Sequence, residues 1–240
     1  MIHTSTPPQN QGTKEFISEV RPITKLPLQG QLFECEFNPK EYSDLLFKAL
    51  DVTLSEDVRL ARDKRKSEFL AGRYCAQQAL NHYGYQNIDI PIGQDRSPQW
   101  PKGVIGSITH AGNRAVCAIS RQSVGLGIDY ELPVTDKTAN EISNLIVSEK
   151  EKLLLSNSGL PYANWLTLIF SIKESLFKAL YPKVKQYFDF LDAEVFSIDH
   201  VQQTISLKLL RNLTPEVRSG QIYDGKYCFH QGGILTLIEY

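Results

Sequence analysis

A helix-forming stretch followed by short strand-like runs occurs twice along this 240-residue chain, once before about residue 122 and once after it. Over residues 55–83, Phe69, Gly72, Ala76, Ala79, Leu80 and Tyr83 recur at spacings of three and four, one stripe of an α-helix, and Gly84 supplies a stop. Residues 104–109 and 114–120 read as strands joined by His110-Ala111-Gly112-Asn113 as a hairpin connection, and 124–131 as a third. The second cycle opens with a helix over 136–155, breaks at Gly159 to Pro161, and resumes over 162–180, stopping before Pro182. Trp165, Leu168, Ile169, Ile172, Leu176 and Leu180 form its apolar stripe. Strands follow at 194–198, 204–210, 226–230 and 233–239, the last two joined at Gln231-Gly232. Residues 1–30, with Pro7, Pro8, Pro22 and Pro27 spaced through them, read as a loose lead-in, and 39–50 as a short helix. The alternation predicts an α+β fold of two similar halves, 1–122 and 123–240, with a site between them.

Charge narrows the function classes. With 26 Lys+Arg against 27 Asp+Glu the net charge is -1, which argues against a strongly basic nucleic-acid binder. No apolar run approaches the ~20 residues of a membrane helix. The polar stretch from Met1 to Gly12 lacks the apolar core of a secretory signal, so a cytoplasmic protein is expected. Cys35, Cys75, Cys117 and Cys228 form no CxxC pair and read as reduced, packed thiols. Walker A, HExxH, GxSxG and GxGxxG patterns are missing.

Four constellations can carry chemistry, and each has a plain reading beside the functional one. In Gly127-Ile128-Asp129-Tyr130-Glu131, residues two apart on a strand share a face, so Asp129 and Glu131 stand side by side. They are either two solvated acids at a strand end or a seat for a hard cation such as Mg²⁺. Glu174 and Lys178 are neighbours on one helix face, either a surface ion pair or a third carboxylate beside an ammonium for phosphate oxygens. Thr109 and His110 close a strand before a small-residue turn, either solvated or placed to hold a phosphate. Arg62, Lys66 and Arg73 can share a face of the 55–83 helix, and Arg96 follows in a loop. Such charge is either a solvated face or a grip for an anion.

Taken in order, the motifs Arg65-Lys66-Ser67-Glu68-Phe69-Leu70-Ala71-Gly72-Arg73, Arg96-Ser97-Pro98-Gln99-Trp100-Pro101, Gly106-Ser107-Ile108-Thr109-His110, Gly127-Ile128-Asp129-Tyr130-Glu131 and Lys173-Glu174-Ser175-Leu176-Phe177-Lys178 closely resemble those of the 4′-phosphopantetheinyl transferases. The resemblance spans about residues 55–182, and is to the surfactin-type superfamily and, within it, the enterobactin synthetase component D branch. It implies two similar α+β halves with the active site between them, the first on the coenzyme A 3′-phosphate side and the second on the metal and carrier side. The reaction implied is Mg²⁺-dependent transfer of 4′-phosphopantetheine from coenzyme A to a serine of an apo acyl, aryl or peptidyl carrier domain, in enterobactin-like siderophore synthesis, by a monomer. By the same resemblance Asp129, Glu131 and Glu174 hold Mg²⁺, and Glu174 is the base for the serine. Lys178 stabilises the transferred phosphate. Arg65, Arg73 and Arg96 grip the 3′-phosphate and adenine side of coenzyme A, and Thr109 and His110 contact phosphate.

Thr109 stands where many members have Ser, and Phe170 where many have Trp ahead of the Lys-Glu pair. Glu151 has no clear register with the family and stays outside the metal set. Two further readings share these residues: a module that binds coenzyme A or a carrier without turnover, and a Mg²⁺-dependent phosphohydrolase acting on a nucleotide. Retention of the whole Asp129, Glu131, Glu174 and Lys178 set speaks against the first, and the basic helix against the second.

Overall fold

A computed structural model describes residues 11–155 and 159–240; residues 1–10 of the expected lead-in and the stretch just before the Gly159 break lie outside the described residues. From residue 11 on, the lead-in is docked rather than loose. It forms α1 (Gln11–Phe16) and β1 (Arg21–Pro22), and Phe16, Ile17, Ile23 and Leu26 are buried. Next comes β2 (Gly30–Glu36), a strand the sequence pattern hides. Its Phe33 and Cys35 face one layer and Leu32 and Glu34 another, all four buried, so no polar alternation marks it.

The segment 39–50 resolves into a 3-10 turn, Pro39–Glu41, and α2 (Leu45–Ala49). The expected helix over 55–83 is two, α3 (Glu56–Arg59) and α4 (Asp63–His82), with Arg62 extended between them at φ -65 and ψ 153. The apolar stripe starts only near Phe69, and nothing upstream holds one continuous helix. Strands β3 (Ile105–Ala111) and β4 (Arg114–Ser120) follow, joined by Gly112-Asn113 alone, so His110 lies on the strand and not in the turn.

The second half contains β5 (Leu126–Glu131), α5 (Asp136–Ile146), α6 (Glu149–Leu155), α7 (Tyr162–Val184), β6 (Ala193–Asp199), β7 (Thr204–Leu209), β8 (Ile222–His230) and β9 (Gly233–Glu239). The single helix expected over 136–155 is broken because Ser148 and Glu151 form a capping box: Glu151 N–H donates to Ser148 Oγ at 3.3 Å, and Ser148 N–H to Glu151 Oε2 at 2.8 Å. Helix α7 does not stop before Pro182 but runs through it. The proline forgoes one hydrogen bond a turn from the end, and Lys185, left-handed at φ 52, closes the helix through its N–H to Tyr181 O at 2.9 Å.

The strands form two antiparallel sheets, ordered β1-β2-β4-β3 and β5-β9-β8-β7-β6, so the fold is α+β. Helix α4 covers one face of the first, burying Leu70, Cys75, Ala79 and Leu80 against Phe33, Cys117 and Ile119. Helix α7 covers one face of the second, burying Trp165, Leu168 and Ile172 against Leu207, Tyr227 and Ile238. The remaining faces meet each other through Leu32, Val116 and Ala118 against Ile128, Tyr130, Leu235 and Leu237. Along this seam β3 and β5, both sheet edges, are joined by hydroxyls. Ile128 N–H donates to Ser107 Oγ at 3.1 Å and Tyr130 N–H to Thr109 Oγ1 at 3.2 Å. At one end of the seam Glu34 is buried among Arg21, Arg114 and His230.

Candidate active site

On β5, Gly127, Asp129 and Glu131 share the face turned to α7, as their spacing of two requires. A Cβ at Gly127 would lie 1.9 Å from Ser175 O and 2.6 Å from Ala179 N, so only glycine lets the helix backbone lie this close to the strand. That approach carries Glu174 and Lys178 over the acidic pair. Lys178 Nζ donates to Asp129 Oδ1 at 2.7 Å and to Ile128 O at 3.1 Å, so it pairs across to the strand rather than with Glu174 on its own helix.

Glu131 and Glu174 both feel burial and the charge of Asp129. Burial, with the charges of Asp129 and Glu174 added and that of Lys178 opposing, pushes the Glu131 carboxyl up to about 7. Burial also raises Glu174, with Lys178 pulling back and Asp129 pushing further. Asp129 is buried, and its Oδ2 has no hydrogen-bond partner. As the side chains stand, no three His, Cys, Asp or Glu among the described residues are gathered into a metal cluster. The donor set nonetheless fits a hard divalent cation: two carboxyls that burial and neighbouring charge push up, and one buried carboxylate oxygen with nothing to bind.

Thr109 and His110 are adjacent in sequence but point opposite ways, as strand neighbours do. The Thr109 hydroxyl donates to Asp129 Oδ1 at 3.1 Å, on the β5 side. His110 turns to α4, where Arg65 Nη1 donates to its Nε2 at 3.0 Å and Glu68 Oε2 lies 3.9 Å from its Nδ1. With Nε2 accepting, the ring proton sits on Nδ1, toward Glu68. Burial pushes His110 down, and Glu68 resists this while Arg65 and Lys178 add to it.

The basic residues divide. Arg65 is exposed beside His110. Arg73 is buried, its guanidinium 4.8 Å from the Phe69 ring centre and its Nε unpartnered, and burial lowers it to about 10. Lys66 does not belong with them, because Asp44 at 2.9 Å and Asp63 at 3.3 Å hold it. Arg96 occupies a tight turn at φ 63, its N–H donating to Gly93 O at 2.8 Å, with its side chain exposed and without a hydrogen bond or ion pair among the described residues. The turn itself is fixed, since Asp95 accepts from Ser97 Oγ at 2.6 Å and pairs with Lys185 just beyond α7. Arg96 is thus not brought into contact with Arg65 or Arg73 by any direct bond.

Glu151 and Lys173 make a buried ion pair at 2.8 Å, with Val195 N–H donating to Glu151 at 2.8 Å. Lys173 Nζ also donates to Ile146 O at 2.8 Å. Both side chains are satisfied away from the carboxylates, so Glu151 braces α6, α7 and β6 and stays outside the site. The sequence reading missed the surroundings of Glu174. A recess of about 150 Å³ opens beside it, lined by Phe177, Tyr187, Phe188, Asp189 and Phe190. The Phe177 ring centre lies 5.1 to 5.6 Å from those of Tyr181, Tyr187 and Phe188. The signal was the aromatic run Tyr187-Phe188-Asp189-Phe190 directly after α7.

Known proteins resemble this chain over about three quarters of its length. Residues 54–120 match the 4′-phosphopantetheinyl transferase N-terminal domain, and residues 125–230 match the 4′-phosphopantetheinyl transferase superfamily. Enterobactin synthase component D of Escherichia coli (strain K12) is 38% identical over 185 residues, 76% of this chain and 85% of that protein. The 4′-phosphopantetheinyl transferase Svp of Streptomyces mobaraensis is 34% identical over 187 residues, 75% of this chain and 74% of its own length. The 4′-phosphopantetheinyl transferase Npt of Nocardia iowensis is 27% identical over 192 residues, 74% and 83% of the two chains. On these likenesses the chain belongs to the 4′-phosphopantetheinyl transferase superfamily.

Proposed function

We propose that this chain transfers the 4′-phosphopantetheine arm of coenzyme A to a serine of an apo acyl, aryl or peptidyl carrier domain, in siderophore synthesis of the enterobactin kind. The likeness to enterobactin synthase component D supports the choice of pathway. The serine oxygen forms a bond to the phosphorus that bears the pantetheine arm. The bond from that phosphorus to the bridging pyrophosphate oxygen breaks, and adenosine 3′,5′-bisphosphate leaves. Glu174 takes the serine proton, directly or through a water. A carboxyl raised by burial is better matched to that task than a solvated one.

The observation that carries this reading is the buried, unpartnered Oδ2 of Asp129 beside two carboxyls that burial and mutual repulsion push up. Asp129, Glu131 and Glu174 would hold Mg²⁺, which when bound neutralises charge on the pyrophosphate oxygens. Lys178 stands where it can meet the oxygens of the transferred phosphate. Arg65, Arg73 and Arg96 serve the 3′-phosphate and adenine end of coenzyme A, with His110 held beside Arg65. Residues 1–122 thus act as the coenzyme A side and 123–240 as the metal and carrier side. The protein works as a monomer in the cytoplasm, where the four buried free cysteines fit a reducing compartment.

Intact-mass spectrometry tests the reaction. An apo aryl or peptidyl carrier incubated with the protein, coenzyme A and Mg²⁺ should gain one phosphopantetheine arm, and chelation should abolish the gain. Asp129→Ala and Glu174→Ala should each lose it. Full activity in both variants would overturn the metal and base assignments. No gain on siderophore or fatty-acid carriers, with coenzyme A still bound, would replace transfer by a binding module.

A further inference from the structure

Glu174, Lys178, Tyr181 and Lys185 follow one another at spacings of four, three and four, so they line one face of α7 and run onto its cap residue. At the near end of this face Lys178 pairs with Asp129. About two turns further on, the face reaches across to the first half. Lys185 Nζ donates to Asp95 Oδ2, and the Tyr181 hydroxyl donates to Asp95 O at 3.5 Å.

The Asp95 carboxylate is shared between the halves. Its Oδ1 accepts Ser97 N–H at 3.1 Å and Ser97 Oγ at 2.6 Å, inside the turn that carries Arg96. Its Oδ2 accepts Lys185. The hydrogen bond from Lys185, then that from Ser97, hold the carboxyl well below the usual carboxylate range. The turn closes on itself through Gly93 N–H to Ser97 O and Arg96 N–H to Gly93 O, both at 2.8 Å. Those bonds fix its shape and not its distance from α7. Among the described residues, its hydrogen bonds to α7 and its cap all go through Asp95. The exposed Arg96 side chain is left to a ligand.

We infer that Asp95 and Lys185 are positioning residues: they hold the Arg96 turn to the end of α7 and so set where Arg96 meets the adenosine end of coenzyme A. The inference rests on the proposed role of Arg96 in binding coenzyme A. One helix then spaces the carboxylates of one half from a basic grip of the other.

Lys185→Met keeps the length of the side chain and removes the cation, Lys185→Arg keeps the cation, and Asp95→Asn keeps an acceptor for Ser97 but not the charge. Coenzyme A affinity is read by calorimetry, turnover on an apo carrier at saturating coenzyme A, and folding by thermal melting. Lys185→Met should weaken coenzyme A about two- to fivefold, the range an exposed ion pair allows. Turnover and melting temperature should stay at wild-type values. Lys185→Arg should restore affinity, and Asp95→Asn should match Lys185→Met, with the two together no worse than either. Arg96→Ala should weaken coenzyme A about tenfold or more. In that background Lys185→Met should add nothing, because the residue it positions is gone. An equal further loss in the Arg96→Ala background would show that Lys185 acts other than through Arg96, and would overturn the inference. Wild-type affinity in Lys185→Met would overturn it as well. Wild-type affinity in Arg96→Ala would strike the reading of Arg96 itself, and this inference with it.

Discussion

Arg73 carries a charge with no ion-pair partner among the described residues, favoured only through space by Cys117 and Asp89. It is buried over Phe69 with Nε unpartnered, and burial lowers it to about 10. An unpaired buried cation costs stability, so its retention points to an anion that arrives later. Arg73→Met should therefore leave the ligand-free protein as stable as wild type or about 1 kcal/mol more so in urea unfolding. Its coenzyme A affinity should fall tenfold or more. Marked destabilisation with binding unchanged would make Arg73 a packing residue. At this scale the sequence is legible wherever period alone decides the outcome. Asp129 and Glu131 share a face because strand neighbours two apart must. The proton of Thr109 was not legible, since which strand edge lies beside β3 is a matter of tertiary order. The same holds for Lys178, whose helical neighbour Glu174 was visible and whose actual partner Asp129 was not.

Between β5 and α7 the site depends on one close approach. Gly127→Ala would place a methyl group 1.9 Å from Ser175 O, inside contact distance, so strand and helix must part. We expect a loss of about 1–3 kcal/mol of stability and a larger loss of transfer, because Glu174 and Lys178 ride on the displaced helix. Unchanged activity would mean that the helix has freedom the packing does not indicate. The other end of the brace is the buried Lys173–Glu151 pair. Lys173→Met leaves Glu151 charged and buried with two N–H donors, and should cost about 3–5 kcal/mol in urea unfolding. A loss under about 1 kcal/mol would contradict the brace. Long periodic elements such as α4 and α7 were readable, with the stop of α4 before Gly84 and the start of α7 at Tyr162, while the start of α4 and the stop of α7 were not. The cap at Ser148 is a local signal that the apolar pattern overrode, and β2 lacks any alternation because both of its faces are buried.

Across the whole molecule, the seam holds the halves together with charge at one end and hydroxyls at the other. Burial raises Glu34, but hydrogen bonds from His230 and Arg21 and the charges of His230 and Arg114 outweigh it, and hold the carboxyl below its ordinary 4.5. A carboxyl held low in the folded state stabilises fully above its unfolded value, and that contribution fades as pH falls through the folded one. Glu34→Gln should thus cost about 3 kcal/mol near neutral pH, and the gap from wild type should close as urea unfolding is repeated at falling pH below about 4.5. A gap constant across that range would remove Glu34 from the acid response. The twofold alternation of helix and strands foretold two layers on each side. It could not foretell that the two sheets would be sewn edge to edge by Ser107 and Thr109.

Those two hydroxyls have a consequence for solubility. In the assembled protein they cover the N–H groups of Ile128 and Tyr130, the open side of an edge strand. Residues 123–240 produced alone would bare that edge beside the apolar face of Ile128, Leu235 and Leu237. A bare, flat, apolar edge pairs with its own copies, so the isolated second half should precipitate as cross-paired strands where the full chain stays dispersed.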